Sequence, residues 1–488
     1  MKSRALALAL SLSVLLPSYS IAAEVTSKSQ QTAPGVFIDT SIYLPKKTPA
    51  PAILLAHGFG GSKDSVVTEA QAFQKRGYVV MTWTARGFGK STGQISMNSL
   101  SAEIADVQQL ITTLSKRKDV LQDRAGDPVV GITGGSYGGA AALLTASQDK
   151  RIDAVVADIT WNDLSQALFP QSSKDLAEPG PFKKIWTGTF FALATLQSAY
   201  LGECGALTNE WCAAYKSAVT NGQPSAAERK LLRSVSPASV LSSIKAPTLL
   251  SQGQADSLFP LNESSQTAAA LKKNGVPISM IWHAAGHDGG ADEKKYLREQ
   301  YSRWFDKYLL KQEIDFPLFQ FTKTNGSISL QDSTAIPKSF TATRLPFEAE
   351  MKQLPLLAQP AAMSYPVGGI PSAISSLPGI GSAGSLAATV ASNIAGFSPA
   401  FVPGQSGFLE SAVLQEPISV TGSSRIKVRV TSTTGDATLF FSLVTKSPSG
   451  SISQPNGIVA PVRLTNIPST GTEVVVNLPS VILDASIG

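Results

Sequence analysis

The stretch VVGITGGSYGGAAALL, residues 129–144, decides how this chain folds. A strand-like run leads into a cluster of glycines around Ser136, and an alanine-rich helical segment follows. This is the G-x-S-x-G pattern, in which a serine occupies a sharp turn between a buried strand and a helix. Neighbouring side chains would collide at so tight a turn, which explains the glycines. The pattern predicts a nucleophilic serine, and a glycine-rich packing turn is the alternative interpretation.

Strand-like and helix-like segments alternate on both sides of this motif. Buried strands are expected near residues 52–56, 78–83, 127–132, 152–159 and 246–253. Alternation of this kind indicates βαβ units and a largely parallel sheet with helices on both faces. The strands are almost continuously apolar, as expected when both faces of the sheet are covered. The predicted fold class is therefore α/β.

The remaining segments divide the chain into further parts. Residues 161–235 contain both cysteines but no strand-like run, which predicts a helical cap between two core segments, 24–160 and 236–315. Residues 316–488 are predicted to form a C-terminal β-sandwich, because RIKVRVTS, ATLFFSLVT and TEVVVNLP alternate with turn residues. A Gly/Ser/Ala-rich insertion at about 354–405 interrupts this last part.

The amino-terminal segment predicts export by a Sec-type signal peptide. Residues 1–23 contain Lys2, Arg4, a short apolar run and small residues suited to signal peptidase. The run is short for a membrane span, which needs about 20 residues, so no stable membrane anchor is expected. The protein would reach the periplasm or the extracellular space. Removal of the segment lowers the formal net charge from +6 to +4, and the scattered basic residues do not suggest nucleic-acid binding.

Cys204 and Cys212 are the only cysteines of the chain and lie eight positions apart. Export would place them in an oxidising compartment, where a local disulfide is favoured over free thiols. The three histidines of the chain are distant in sequence from this cysteine pair, so a zinc site is not expected here.

A serine nucleophile needs a base, and the candidates are His57, His283 and His287. His57 follows an early strand, at a position that usually builds an oxyanion hole. His283 lies within the strand-like run ISMIWH, whereas His287 lies in the loop AAGHDGG before a helix. The base comes last in the chain order of serine, acid and histidine, which disfavours His57. We favour His287 over His283, because His287 lies in a loop and His283 within a strand-like run.

The catalytic acid should lie between the serine and the histidine in the sequence. Asp256, in the loop QADSLFP after a predicted strand, is the favoured candidate. Asp158, at the end of an earlier strand, is its rival, and Asp288 would be poorly aimed at the ring of the adjacent histidine. The acid holds the imidazole in the required tautomer and stabilises the imidazolium.

Two further roles are assigned near the serine. The backbone N–H groups of Phe59 and Tyr137 are the predicted oxyanion donors. Trp161 is a candidate for the substrate pocket, although core packing is an equally good interpretation of a tryptophan.

Together these motifs resemble the X-Pro dipeptidyl-peptidase family of serine hydrolases, which also includes cocaine-esterase-like and acylase-like members. GGSYGG resembles the nucleophile elbow, GQADSLFP the acid loop and the GH of AAGHDGG the histidine loop of the family. ARGFGKSTG resembles a loop after an early strand, WNDL the start of the cap, and EPISVTGSSRIKVRVTSTTGDATLFFSLV the opening of a C-terminal jelly roll. The resemblance implies an α/β-hydrolase fold with a helical cap and a jelly-roll-like domain.

Three features depart from the family pattern. Many members carry a tyrosine in the oxyanion loop, whereas Phe59 stands there and has no hydroxyl, so the backbone must donate. Thr84 replaces a common aspartate in TARGFG, which we interpret as structural. The C-terminal domain is expected to be truncated at Gly488, because the family's domain continues for further strands.

The sequence thus predicts a secreted serine hydrolase that cleaves an amide or ester bond through an acyl-enzyme. The first choice is X-Pro dipeptidyl-peptidase activity on peptides, and the runner-up is a carboxylic-ester or acyl-amide hydrolase acting on small molecules. A catalytically inactive binding module is the alternative of another class. No metal or organic cofactor is required, and the oligomeric state is left open. A peptidase of this type needs a carboxylate for the substrate's ammonium group, and the cap offers Asp163, Asp175, Glu178 and Glu203.

Overall fold

A computed structural model of the chain describes residues 25–196, 202–331 and 406–487. The predicted signal segment, the Gly/Ser/Ala-rich insertion and the chain end at Gly488 lie outside the described residues. The described strands, in chain order, are β1 (Val25–Ala33), β2 (Val36–Tyr43), β3 (Ala52–Ala56), β4 (Val79–Trp83), β5 (Gln122–Arg124), β6 (Asp127–Pro128), β7 (Val130–Gly135), β8 (Ile152–Asp158), β9 (Thr248–Gly253), β10 (Ile278–His283), β11 (Phe319–Thr322), β12 (Ile328–Gln331), β13 (Ile418–Val430), β14 (Ala437–Phe441), β15 (Thr445–Lys446), β16 (Ile452–Ser453), β17 (Ala460–Leu464) and β18 (Thr472–Ala485).

The described α-helices follow the same order and fall mostly between strands. They are α1 (Val67–Arg76), α2 (Glu103–Leu114), α3 (Tyr137–Gln148), α4 (Leu164–Leu168), α5 (Lys184–Leu196), α6 (Asn209–Asn221), α7 (Ala226–Ser234), α8 (Asn262–Lys273) and α9 (Lys294–Leu309).

Ten of the described strands form the central sheet, in the order β1-β2-β4-β3-β7-β8-β9-β10-β11-β12. Every pairing from β4 to β11 is parallel, and antiparallel strands are added at both edges. The chain runs from β3 outward to β4 and then returns past β3 to β7. This reversal leaves a crevice outside the carboxyl ends of β3 and β7, the usual place for a ligand in an open α/β sheet. The predicted α/β class is confirmed.

Both faces of the sheet are covered, which explains why the strands are almost continuously apolar. Successive side chains of a strand point to opposite faces, so Leu54 and Ile132 join one core while Ile53 and Val156 join the other. Helix α3 packs into the first core and α9, through Phe305, into the second.

The described residues between β8 and β9 form the helices α4 to α7, in the range where the sequence predicts a helical cap. A disulfide joins Cys204 to Cys212 and ties the chain preceding α6 to that helix. The limits of the cap and of the other predicted domains stay predictions.

The C-terminal region is described as antiparallel pairs of strands: β13 with β18, β14 with β17 and β15 with β16. It contacts the cap where the Ser172 N–H donates to Pro461 O and the Ser172 carbonyl accepts from the Asn477 N–H. The jelly-roll arrangement stays a prediction. Among the described helices, none combines the length and apolar character needed to cross a membrane.

Candidate active site

Ser136 occupies the turn between β7 and α3 with φ 55° and ψ −118°, a conformation that costs energy for a residue other than glycine. Its N–H donates to the Asp158 carbonyl at 2.9 Å, and its own carbonyl accepts from the Ala140 N–H at 3.1 Å. These bonds fasten the strained turn to β8 on one side and to the first turn of α3 on the other. Strain that is held in this way is typical of functional sites.

The glycines around Ser136 differ in how much space a side chain would have at each position. A Cβ atom on Gly134 would lie 2.7 Å from the Gly138 carbonyl carbon, and one on Gly138 would lie 2.9 Å from the Ala56 carbonyl oxygen. A Cβ atom on Gly135 would meet its nearest neighbour, Ile159, only at 3.8 Å. The close approach of α3 to β7 and β3 therefore requires glycine at positions 134 and 138, but not at 135.

The structure brings Ser136, His287 and Asp256 together from three separate loops. The Nε2 atom of His287 lies 2.9 Å from Ser136 Oγ, and its Nδ1 atom lies 2.6 Å from Asp256 Oδ2. Asp256 is fully buried, and its Oδ1 atom accepts from the Phe259 N–H at 2.7 Å. A ring that donates from Nδ1 to the carboxylate leaves the Nε2 lone pair free to take the serine proton.

Backbone contacts align the acid and histidine loops. The Asp288 N–H donates to the Ala255 carbonyl at 3.0 Å, and the Ala255 N–H donates to the Ala285 carbonyl at 3.2 Å. A Cβ atom on Gly286 would overlap the Ala255 carbonyl, so glycine before His287 allows the two loops to touch.

The electrostatic surroundings raise the pKa of His287. Burial alone lowers the pKa, but the charge and hydrogen bond of Asp256, followed by the charges of Asp288 and Asp158, outweigh it. The imidazolium that forms when Ser136 loses its proton is therefore stabilised where it arises.

The rival histidines and acids have other partners. His283 Nε2 lies 3.1 Å from Asp158 Oδ1. His57 accepts from the Ala85 N–H through Nε2 and donates through Nδ1 to the Gly58 carbonyl, and burial lowers its pKa to about 4, which keeps it neutral. Asp288 accepts from the Ser257 N–H.

The two predicted oxyanion donors lie next to the serine. Tyr137 is the first residue of α3, so its N–H has no acceptor within the helix. Phe59 follows β3, and its ring lies edge-on to the Tyr137 ring at 5.5 Å. Both residues line the pocket that contains Ser136. Their role as donors stays a prediction.

The pocket at Ser136 is apolar. Besides the serine, it is lined by Phe59, Met97, Tyr137, Trp161, Leu164, Leu168, Phe190 and Phe259. Trp161 lines this pocket, is almost completely buried and donates from Nε1 to the Val235 carbonyl. Its role in substrate binding stays a prediction.

Most of the other pocket residues were not predicted as site residues. Met97 has a left-handed backbone, with φ 56°, in a loop without a recognisable motif. Leu168 and Phe190 come from cap helices, and an apolar residue in a helix gives no signal that distinguishes a pocket from a core.

The four cap carboxylates considered for an ammonium group lie elsewhere. Asp163 caps the N-terminus of α4, and Asp175 accepts from the Val475 N–H of β18. Glu178 is exposed, and Glu203 forms an exposed ion pair with a lysine. None of the four lines the pocket at Ser136. In the described part of the chain, no three His, Cys, Asp or Glu side chains are grouped closely enough to hold a metal ion.

This fold, with a serine at the elbow between β7 and α3, defines the class of α/β-hydrolase serine hydrolases. The chain belongs to the X-Pro dipeptidyl-peptidase (S15) family, whose model matches residues 34–289. The resemblance seen in the sequence is thereby confirmed, and the protein is a serine hydrolase of the peptidase or esterase kind.

Solved structures share the fold over almost the whole chain. An α-amino acid ester hydrolase superposes with a TM-score of 0.62 at 15% identity, covering 98% of this chain and 91% of its own. An aminopeptidase from a marine sediment Thaumarchaeota archaeon superposes with a TM-score of 0.61 at 14% identity, covering 98% of this chain and 90% of its own. A CocE/NonD family hydrolase from Staphylococcus aureus superposes with a TM-score of 0.59 at 13% identity, covering 96% of this chain and 87% of its own. At these identities the likeness concerns the fold alone.

Curated relatives match over a shorter stretch. An uncharacterized 31.7 kDa protein of Escherichia coli is 29% identical over 114 residues, which are 23% of this chain and 38% of the relative. The quorum-quenching protein AidA of Acinetobacter baumannii is 30% identical over 131 residues, 26% of this chain and 41% of the relative. The chain thus spans well under half the length of these relatives.

Proposed function

We propose that this serine hydrolase cleaves carboxylic esters whose acyl group is uncharged and apolar. The observation that carries the proposal is the pocket at Ser136, whose wall is made of aromatic and aliphatic side chains. Burial of apolar surface against such a wall stabilises a bound acyl group by about 25 cal/mol per Å². A buried ammonium group without a carboxylate partner costs several kcal/mol instead.

The proposed reaction follows from the geometry of the three side chains. Ser136 Oγ attacks the ester carbonyl while His287 Nε2, 2.9 Å away, takes its proton. Asp256 orients the ring through Nδ1, and the N–H groups of Phe59 and Tyr137 stabilise the oxyanion. His287 then protonates the departing alcohol, which leaves an acyl-enzyme on Ser136. A water molecule, deprotonated by the same histidine, releases the acid.

X-Pro dipeptidyl-peptidase activity, the first choice from the sequence, is the second candidate. The family match over residues 34–289 favours it. It requires a carboxylate for the amino terminus of the peptide, and the four cap carboxylates considered for that role lie outside the pocket lining. Export directed by residues 1–23 is part of both proposals, and it places the substrate outside the cytoplasm.

A matched pair of esters separates the two candidates. We would compare the kcat/KM of benzyl butyrate with that of benzyl 2-aminobutyrate, which differs by one ammonium group, and add an X-Pro arylamide. An apolar acyl site favours the butyrate by about 10²-fold or more, and Ser136→Ala abolishes its turnover. Preference for the amino ester, or arylamide cleavage that exceeds butyrate cleavage, contradicts the proposal in favour of the second candidate. A folded protein that a fluorophosphonate fails to label would be a binding module.

A further inference from the structure

A lysine of the cap reaches the loop that carries Asp256. Lys183 lies immediately before α5, and its Nζ atom donates to the Ser257 carbonyl at 2.7 Å and to the Leu258 carbonyl at 2.8 Å. We define residues 254–259, between β9 and α8, as the acid loop. The two carbonyls belong to the residues that directly follow Asp256, so the ammonium group fixes the backbone next to the catalytic acid.

A further bond joins α5 itself to the acid loop. The indole Nε1 of Trp186, in the first turn of α5, donates to Ser257 Oγ at 3.2 Å. The Ser257 N–H donates in turn to Asp288, beside His287. Cap, acid loop and histidine loop are therefore linked through one residue, Ser257.

Helix α5 also builds part of the site. Phe190, one turn beyond Trp186, lines the pocket at Ser136 and packs edge-on against Phe59 at 5.4 Å. The Trp186 ring lies edge-on to the His287 ring at 5.9 Å. The position of α5 relative to the acid loop thus sets both the pocket wall and the surroundings of the base.

We propose that Lys183 is a positioning residue that fastens the cap to the acid loop, so that Asp256 and the pocket wall reach their reactive positions together. The inference rests on the proposed acyl-enzyme reaction at Ser136. Lys183 acts through Asp256 and α5 and does not touch the reacting atoms.

Burial of the Lys183 ammonium group makes this fastening sensitive to pH. Burial lowers the pKa of Lys183 to about 8, although the carboxylates of Glu263, Asp256 and Asp288, which face it, act in the opposite direction. A charged donor forms hydrogen bonds about twice as strong as a neutral one. Above about pH 8 the bonds to the acid loop therefore weaken, and kcat should fall on the alkaline side.

The test compares two adjacent lysines. Lys183→Met removes both bonds. Lys184→Met, the matched control, removes an exposed ammonium group that donates only a long bond, of 3.5 Å, to the Val219 carbonyl in the described part of the chain. For both variants we would measure thermal unfolding, kcat and KM for butyrate ester hydrolysis from pH 6 to 10, and the rate of fluorophosphonate labelling. Lys183→Met should lower kcat and the labelling rate by about tenfold to a hundredfold, in line with small displacements of catalytic groups. Lys184→Met should match the wild type.

The conservative variant covers the case in which Lys183→Met does not fold. Lys183→Arg keeps a donor that stays charged up to pH 10 and should retain most of the activity while losing the alkaline fall near pH 8. The proposal is overturned if folded Lys183→Met has the same kcat and pH profile as the wild type. It is also overturned if kcat of Lys183→Arg still falls near pH 8 as it does in the wild type. The labelling rate separates the two proposals. If the fluorophosphonate labels the wild type but the wild type does not hydrolyse the ester, the proposed substrate class is refuted. The labelling rates of the variants then still test the positioning role of Lys183.

Discussion

The Oδ1 atom of Asp158 lies 3.1 Å from the Nε2 atom of His283, so the two residues that rival Asp256 and His287 in the sequence pair with each other. Each residue is the last of its strand, Asp158 of β8 and His283 of β10, and β9 lies between these two strands in the sheet. Two Asp–His pairs therefore exist near one serine, and only one of them reaches it. The distances predict which pair is required for activity.

Removal of the carboxylate charge from each pair should have very different effects. Asp256→Asn should lower kcat by about 10⁴-fold, because the amide stabilises the wrong tautomer of His287. Asp158→Asn should lower kcat less than about tenfold, since the bond to the Ser136 N–H comes from the Asp158 backbone carbonyl, which the substitution preserves. Steady-state hydrolysis of butyrate ester by both folded variants decides the matter. Equal losses would contradict the assignment of the acid.

The pH dependence should report the charge around His287. The base must be neutral to accept the serine proton, so kcat/KM should fall as the pH drops through the pKa of His287, which its neighbours raise above 6.5. Asp288→Asn removes one of the charges that raise this pKa and keeps an oxygen acceptor for the Ser257 N–H. The acidic limb of the profile should therefore move to lower pH. A limb that stays in place or moves upward would show that another group titrates.

The glycines of the elbow allow a test with an internal control. Gly134→Ala and Gly138→Ala place a Cβ atom within 3 Å of backbone atoms, so α3 must move away from β3. We expect each to lower the free energy of unfolding by about 1–3 kcal/mol and to abolish most activity, because Ser136 moves with the helix. Gly135→Ala meets only ordinary contacts and should remain folded and active. Chemical denaturation together with ester hydrolysis distinguishes the three variants, and a Gly135→Ala as damaged as the others would refute the steric argument.

A buried glutamate beneath the elbow should make stability fall with rising pH. Glu103 accepts from the N–H groups of Ser96 and Ser99, and burial raises its pKa to about 7 from 4.5. Between these values the folded state binds more protons than the unfolded state, so the contribution of Glu103 is present below pH 4.5 and lost as the pH rises through 7. The loss amounts to about 3 kcal/mol at 1.36 kcal/mol per pKa unit.

Urea denaturation of the wild type and of Glu103→Gln at several pH values between 4.5 and 7 measures this effect. The glutamine does not titrate, so the stability of the wild type relative to the variant should decrease across the range. Parallel stability curves for the two proteins would show that Glu103 keeps an ordinary pKa.

The elbow and the sheet could be predicted because their signals are local. Ser136 is marked by its own glycines, and buried parallel strands are recognisable as short apolar runs. The pocket could not be predicted in the same way, because its wall depends on how cap helices pack over the sheet. Phe190 and Phe191 are adjacent and identical in type, yet only Phe190 lines the pocket, and no pattern in the sequence separates them.

These two phenylalanines also provide the last test. Phe190 lines the acyl pocket, whereas Phe191 stacks on Tyr215 with ring centroids 4.1 Å apart. Phe190→Ala should enlarge the pocket, so that a longer acyl chain gains apolar contacts worth about 0.8 kcal/mol per buried CH₂. We expect the ratio of kcat/KM for octanoate ester to that for butyrate ester to rise about tenfold or more, the equivalent of about two buried CH₂ groups. Phe191→Ala should leave the ratio unchanged while it lowers stability through the lost stacking. If both variants shift the ratio equally, or neither does, the acyl group is bound somewhere other than against Phe190.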